Sequence, residues 1–401
     1  MRRRILDCAL MRFAQEGFEG TSLRTIADDV DVSIPTLRNY FGSKDGLLVG
    51  ILERFFDLVD EGVRGIVEKG LTDTEEMIQQ ALAINRTVRE LPPDLVAHMM
   101  RVAAAEPGVA SVMEDLQKAL TRVIVYAQEE AGGRQDVDAT RLAQMIADLM
   151  LGGLVDWARS PEIDSQAHTE VVLRAAVDLV IPSRAPRAAT PAEESVEGSL
   201  VASEPTAHTA RSGLPRQILD VARRRFAEDG VRETTLEAIA DELSINQLTI
   251  LHHFGSKDGL LAELAMELAD RIEDTVRKAL ATSLATDLPT AIAIIPSRLA
   301  ELPDVGSRLT GEVLRVMLTH PDGMEASRRI NRAMAELVAE GQRRSLVRTD
   351  QSPMVLARVL LDLTYASVLR WVRDPSPAIT QAQEDVMRAA QLFMDPSPPE
   401  A

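Results

Sequence analysis

Residues 21–48 read TSLRTIADDVDVSIPTLRNYFGSKDGLL, and residues 234–261 read TTLEAIADELSINQLTILHHFGSKDGLL. Both stretches belong to a longer repeat without gaps, in which residues 5–48 align with residues 218–261 at a constant offset of 213. In this alignment 22 of the 44 positions are identical. A repeat of this length indicates a duplicated structural unit.

A weaker repeat lies near the end of each half. Trp157 pairs with Trp371, and residues 174–176 pair with residues 388–390, at an offset of 214. Because the two offsets differ by one, each half carries the same order of elements with only small insertions. The chain is therefore a tandem duplication.

Each copy of the quoted repeat predicts three short helices, because its apolar residues recur at three- and four-residue spacing between short breaks. Thr21 and Thr234 are placed to cap the second helix, and Thr234 with Glu237 matches a capping box. The expected cap and closing glycine of the third helix are Ser33 and Gly42 in the first copy, and Asn246 and Gly255 in the second. Two short helices joined by a tight turn and braced by a first helix form a helix-turn-helix.

The quoted residues resemble the N-terminal signature of the tetracycline-repressor (TetR) family. In that family a three-helix reading head precedes a long fourth helix and a variable helical domain, which binds a small molecule and dimerises through its last two helices. The resemblance implies a transcriptional regulator that binds DNA, with repression as the expected mode. This sequence departs from the family at the turn glycine, replaced by Asp31 and Ser244, and at the recognition-helix tyrosine, replaced by Arg38 and Leu251.

We therefore predict an all-α fold of two tandem TetR-like halves, each with a helix-turn-helix head and a helical body for ligand binding and dimerisation. The segment between the halves is rich in Ala, Ser, Thr, Pro and Glu, which is typical of a flexible linker. The expected boundaries are a first head at 1–48, a first body at 49–182, a linker at 183–213, a second head at 214–261 and a second body at 262–396.

The candidate DNA-binding residues lie on and just after the third helix of each head. Arginine and asparagine side chains pair with guanine and adenine edges in the major groove, so the first head carries the richer set. The second recognition helix contains no Lys or Arg, and its use for DNA binding stays open. The candidates are Ser33, Ile34, Pro35, Thr36, Arg38, Asn39, Tyr40 and Lys44 in the first head, and Gln247, Thr249, His252, His253 and Lys257 in the second.

Lys44 and Lys257 stand in the expected first turn of a fourth helix, after Ser43 and Ser256, which are expected to cap it. A cation is unfavourable at a helix N-terminus, and a bound phosphate reverses the sign of that interaction. We predict that both lysines anchor DNA phosphates; a solvated lysine is the alternative.

Composition excludes several other classes of protein. The net charge of −18 opposes non-specific binding to nucleic acid or anionic lipid, so contact with DNA has to be local. Cys8 is the single cysteine, which excludes an internal disulfide, fits a reducing cytoplasm and indicates a buried structural thiol. No apolar stretch is long enough to cross a bilayer, and no motif indicates a nucleophile, a metal site or a cofactor. We expect neither catalysis nor a membrane partner.

The sequence says less about the function of the two bodies than about that of the heads. Methionines such as Met99, Met145 and Met150 suit either a deformable pocket or core filling, and the effector is expected to be small and apolar. Residues 138–159 and 353–373 are apolar on more than one face, so we expect the two halves to dock as an intramolecular pseudo-dimer; further association of two chains stays open. Since the two reading faces differ, we expect an asymmetric double-stranded DNA operator. Two alternatives remain: only the first head binds DNA, or neither does and the chain binds a small molecule alone.

Overall fold

The computed structural model describes residues 1–89, 95, 98–99, 109–159, 165–181, 213–281, 307–373 and 379–394. All regular structure within these residues is α-helical, as the sequence predicts. The chain divides into two compact units, Met1–Ser183 and Arg184–Ala401. The predicted linker at 183–213 lies outside the described residues except for Gly213.

Eight helices are described in the first unit. They are α1 (Arg2–Glu16), α2 (Leu23–Asp29), α3 (Ile34–Phe41), α4 (Lys44–Glu68), α5 (Thr74–Arg89), α6 (Val109–Glu130), α7 (Ala139–Arg159) and α8 (Ser165–Val180). The long helix α4 leaves the head and packs against α5 and α6, and α7 and α8 complete the body by packing on α6 and on each other.

The described part of the second unit also contains eight helices. Its helices are α9 (Leu214–Glu228), α10 (Leu236–Glu242), α11 (Gln247–Phe254), α12 (Lys257–Ala281), α13 (Ser307–Thr319), α14 (Pro321–Arg343), α15 (Pro353–Arg373) and α16 (Ile379–Met394). The long helix α12 packs against α13 and α14, while α15 packs against α14 and α16.

The helix caps follow the sequence with one correction. Ser33 caps α3, Asn246 caps α11, and Ser43 caps α4, as predicted. Thr21 and Thr234, however, do not cap the second helix of each head; their buried hydroxyls donate to the carbonyl oxygens of Gly17 and Gly230 at 2.9 and 2.8 Å.

The true caps stand one residue later in the chain. Ser22 accepts from the amide of Thr25, and Thr235 accepts from the amide of Ala238. The capping box expected for Thr234 is therefore also wrong. A cap needs a side-chain oxygen that reaches the free amides of the first helical turn, whereas Thr21 and Thr234 turn inward to close the loop after the first helix.

The body repeat is visible in matching hydrogen bonds. The side-chain amide of Gln128 donates to the carbonyl oxygens of Arg134 and Val137 at 2.8 and 3.0 Å. At an offset of 214, Gln342 donates to the carbonyl oxygens of residues 348 and 351, both at 2.8 Å. The duplication therefore extends from the heads into the bodies.

The predicted interface segments form helices close to their expected bounds. Residues 138–159 give α7, for which Asp138 accepts from the amides of Thr140 and Arg141, and residues 353–373 give α15. No helix in the described ranges is long and apolar enough to cross a membrane.

Candidate nucleic-acid interface

The first recognition helix, α3, divides into an anchored side and an exposed side. Leu37 and Phe41 are buried in the core of the head. The residues between and before them, with the capping serine, point outward or are half-buried; they are Ser33, Ile34, Pro35, Thr36, Arg38, Asn39 and Tyr40. Tyr40 is 49% exposed. The structure thus brings seven of the eight predicted contact residues of the first head together on one short helix and its cap, while Lys44 lies at the start of α4.

The second recognition helix, α11, has the same anchors and a different exposed face. Ile250 and Phe254 are buried at the positions of Leu37 and Phe41. His252 is exposed, while Gln247, Thr249 and His253 are half-buried. Leu248, which the sequence did not single out as a contact residue, is 69% exposed. The second head therefore presents apolar and imidazole groups where the first presents guanidinium, amide and phenol groups.

The turn before each recognition helix has an unusual backbone. Asp31 has a φ of 55° and Ser244 a φ of 54°, both in the left-handed region that favours glycine. These are the positions at which the sequence replaces the family's turn glycine. The turn keeps its geometry in both heads, and the non-glycine residues carry a backbone cost of about 1–2 kcal/mol each.

Lys44 and Lys257, which occupy the same repeat position, have hydrogen-bond partners inside their own heads. The Lys257 ammonium donates to the carbonyl oxygens of Val231, Arg232 and Thr234 at 2.7, 3.4 and 2.9 Å. These carbonyls lie in the loop between α9 and α10, so the lysine ties the start of α12 to that loop.

The first head repeats this arrangement. The Lys44 ammonium donates to the carbonyl oxygens of Phe18 and Thr21 at 2.8 and 3.3 Å, and it lies 4.3 Å from the centroid of the Phe18 ring. The sequence did not predict these contacts. The phosphate contacts expected of both lysines stay a prediction.

Each head also contains a close approach that only glycine permits. A Cβ added to Gly46 would fall within the van der Waals radius of the Phe41 carbonyl oxygen, and one added to Gly259 would meet the Phe254 carbonyl oxygen in the same way. The start of the long helix is thus held directly against the end of the recognition helix.

The heads are joined to their own bodies by side-chain contacts. Leu95 and Met99 are buried in the hydrophobic core of the first head, and the His98 ring lies 4.8 Å from that of Phe18. In the second unit, Arg315 on α13 donates two hydrogen bonds to the carboxylate of Asp258, at 2.7 and 3.2 Å.

The contact with Arg315 changes the pKa of Asp258. The two hydrogen bonds from its guanidinium, followed by its charge, hold the pKa of Asp258 below the usual value. Sequence reasoning missed this residue. A signal was present, because Arg101 occupies the same repeat position at the offset of 214.

The first body contains an apolar cavity of about 120 Å³. All five of its described helices contribute lining residues, and every lining residue is apolar; they are Val59, Val63, Ile66, Met77, Ala81, Leu120, Val123, Ile124, Ala127, Ile146, Met150, Leu173, Ala176, Val177, Val180 and Ile181. Of the methionines considered as pocket candidates, Met150 lines the cavity, whereas Met99 lies in the head core. No group of three or more metal-ligating side chains occurs in the described part of the chain.

A duplicated helix-turn-helix on helical bodies defines a DNA-binding transcription regulator. The family model of bacterial regulatory proteins of the tetR family matches residues 5–51 and 218–264. The transcriptional repressor KstR of Rhodococcus jostii is 31% identical over 156 residues, which make up 39% of this chain and 72% of that relative. This chain belongs to the TetR family.

Other relatives extend the comparison. KstR of Mycobacterium tuberculosis is 27% identical over 175 residues, covering 43% of this chain and 79% of that protein. Among solved structures, the TetR-family repressor FadR of Thermus thermophilus, determined in complex with lauroyl-CoA, matches at 22% identity with a TM-score of 0.39. The match covers 47% of this chain and 100% of that one.

Proposed function

We propose that the chain is a repressor whose two heads read different half-sites of one asymmetric operator. The proposal rests on one observation: the two heads have the same backbone arrangement but expose different side chains on their recognition helices. Both heads share their anchors and their left-handed turn, yet residues 38–40 are Arg-Asn-Tyr and residues 251–253 are Leu-His-His. Arginine and asparagine suit guanine and adenine edges, which the second face does not match.

Selection of bound sequences from a random pool tests this proposal. The full chain is expected to yield a consensus of two unlike half-sites. Arg38→Ala should relax one position of the first half-site and cost about 1–3 kcal/mol there, while His252→Ala should alter the second half-site alone. A strict palindrome with equal information in both halves would contradict asymmetric reading.

We also propose that the two halves of one chain replace the two subunits of a dimeric repressor. The proposal rests on the family's use of its last two helices for dimerisation and on the presence of two such helix pairs in one chain, α7 with α8 and α15 with α16.

Light scattering coupled to gel filtration measures the number of chains directly. We expect the mass of one chain in free solution and one chain on each operator duplex. Two chains on a palindromic duplex, with none bound singly, would show instead that like heads pair between chains.

The proposed effector is a small, apolar molecule bound in the cavity of the first body. The absence of polar lining groups favours a ligand without charge in its buried part. The uncharged dye N-phenyl-1-naphthylamine is a suitable probe, because its fluorescence rises in an apolar site.

Ala176→Phe should fill this cavity and abolish the dye signal without lowering the melting temperature. The matched control is Ala390→Phe, at the same repeat position of the second unit, where the alanine is fully buried. We expect this control to leave the dye signal intact and to destabilise its own unit. Equal dye binding in Ala176→Phe and wild type would place the site elsewhere.

A second candidate function is a regulator in which only the first head, or neither, binds DNA. The lack of Lys and Arg on α11 and the exposed Leu248 favour it. Footprinting separates the possibilities. With two reading heads, Gln247→Ala shortens the footprint; with one, that variant changes nothing; with none, no salt-sensitive specific footprint forms.

A further inference from the structure

The second recognition helix exposes an apolar side chain where a DNA-reading helix ordinarily exposes polar ones. At 69%, Leu248 is the most exposed large hydrophobic side chain in the described part of the chain. Its position is well fixed, because the Asn246 side chain accepts from the Leu248 amide at 2.8 Å and Ile250 anchors the helix from below. Exposure of this side chain is therefore not the result of a loose helix end.

The neighbours of Leu248 extend the same surface. Leu251 lies one turn further along and is half-buried, and His252 flanks both leucines on the exposed side. Residues three and four apart share one face of a helix, so these three side chains form a continuous strip. The strip contains two apolar groups and one imidazole.

Only one feature of a base-pair edge in the major groove matches an apolar side chain. Thymine carries a C5-methyl group there, whereas the other edges present hydrogen-bond donors and acceptors that a leucine would desolvate without replacement. Leu248 stands near the N-terminus of its helix, where recognition helices approach base edges most closely.

We infer that the second head reads its half-site through thymine methyl groups, with Leu248 as the residue that determines specificity. This inference rests on the proposed two-headed reading of DNA. It specifies the second half-site further: this half-site contains thymine opposite Leu248. Its recognition depends on apolar contacts more than on hydrogen bonds.

Replacement of thymine by deoxyuridine tests the inference, since it removes the methyl group and leaves base pairing unchanged. The full chain and its selected operator are used, and affinity is measured by fluorescence anisotropy at one fixed salt concentration. Deoxyuridine in the second half-site should weaken binding about three- to five-fold for each methyl contacted, the equivalent of one buried CH₂ group. The same replacement in the first half-site should have a smaller effect.

Two variants complete the experiment. Leu248→Ala should bind thymine and deoxyuridine operators equally while keeping its melting temperature, because the side chain is exposed. Pro35→Ala, at the same repeat position of the first head, should keep the full discrimination in the second half-site.

The outcomes separate this inference from the proposed function. A selected second half-site that is insensitive to deoxyuridine overturns the thymine-methyl inference and leaves two-headed reading intact. A consensus with no second half-site overturns both. If Leu248→Ala changes the number of chains in solution and not the discrimination, the leucine serves association between chains, and the inference is wrong.

Discussion

Lys257 offers the sharpest test of what the repeated GSKDGLL segment does. Replacement by methionine keeps the apolar stem of the side chain and removes the ammonium. If the ammonium holds the loop between α9 and α10, Lys257→Met should loosen the second head. If it holds a DNA phosphate, the same change should weaken DNA binding and leave the free protein unaltered.

The hydrogen-bond distances of Lys257 set the expected loss of stability in Lys257→Met. Two of the three carbonyl contacts, at 2.7 and 2.9 Å, are good hydrogen bonds. Bonds to a charged group contribute about 1.5–3 kcal/mol when buried, and the half-buried setting of Lys257 favours the lower end. Removal of a cation from a helix N-terminus stabilises the helix by about 0.5–1 kcal/mol. The free energy of unfolding of the second head should therefore fall by about 2 kcal/mol.

Hydrogen exchange read by mass spectrometry is the appropriate assay, because it reports each head of a two-unit chain separately. A loss of about 2 kcal/mol corresponds to a roughly 30-fold faster exchange of the slow amides of α10 and α11. The equivalent amides of the first head provide an internal reference. Lys278→Met is the control, since this lysine is on the same helix with its side chain 75% exposed.

The salt dependence of DNA binding decides between the two roles. Loss of one phosphate contact lowers the slope of log affinity against log salt by about 0.9. Faster exchange with an unchanged slope in Lys257→Met would show that the ammonium acts only within its own head, whereas a lower slope would support the phosphate contact predicted from the sequence. Unchanged exchange together with a slope reduced by about one would refute the structural role and establish the phosphate contact.

Three further predictions follow from single residues. Ser244→Gly should stabilise the second head by about 0.5–1 kcal/mol, because relief of the left-handed backbone exceeds the entropy cost of glycine; slower amide exchange there would confirm it, and faster exchange would contradict it. Arg315 lowers the pKa of Asp258, so this carboxylate stabilises the fold at neutral pH, and that contribution is lost as pH falls below about 4. The difference in melting temperature between wild type and Asp258→Asn should therefore shrink between pH 7 and 3, and a constant difference would count against the ion pair. Burial, then a hydrogen bond to a neighbouring carboxylate, raises the pKa of the Cys8 thiol, so iodoacetamide should label it only when the first head opens. Gly46→Ala should accelerate this labelling, and the equivalent change in the second head should not.

The sequence by itself determined the duplication, the all-helical class and the bounds of both recognition helices. These features depend on local signals: apolar spacing along one helix, a polar residue at the start and a glycine at the end. Ser33, Asn246 and Ser43 were identified as caps because a cap interacts with amides only two or three residues away. The family signature added the expectation of DNA binding, since its motif is contained in one continuous stretch.

Tertiary structure decided how individual polar groups are used. Each second helix follows two neighbouring hydroxyl residues, and the sequence does not show which of them caps the helix, because the inward turn of Thr21 depends on the position of the Gly17 carbonyl oxygen. The intramolecular contacts of Lys257 could not be seen in the sequence either, because the carbonyl oxygens that accept its hydrogen bonds are 23 to 26 residues away in the chain.

The cavity and the reading faces depend on tertiary structure for the same physical reason. The sixteen apolar residues that line the cavity are spread from Val59 to Ile181, and whether such residues fill a core or leave a space depends on how five helices pack. The exposure of Leu248 likewise follows from the burial of Ile250 and Phe254, which sets the rotation of α11 about its axis. Residue type and spacing determine which helices form, but only packing between helices determines which side chains remain free to meet DNA or a ligand.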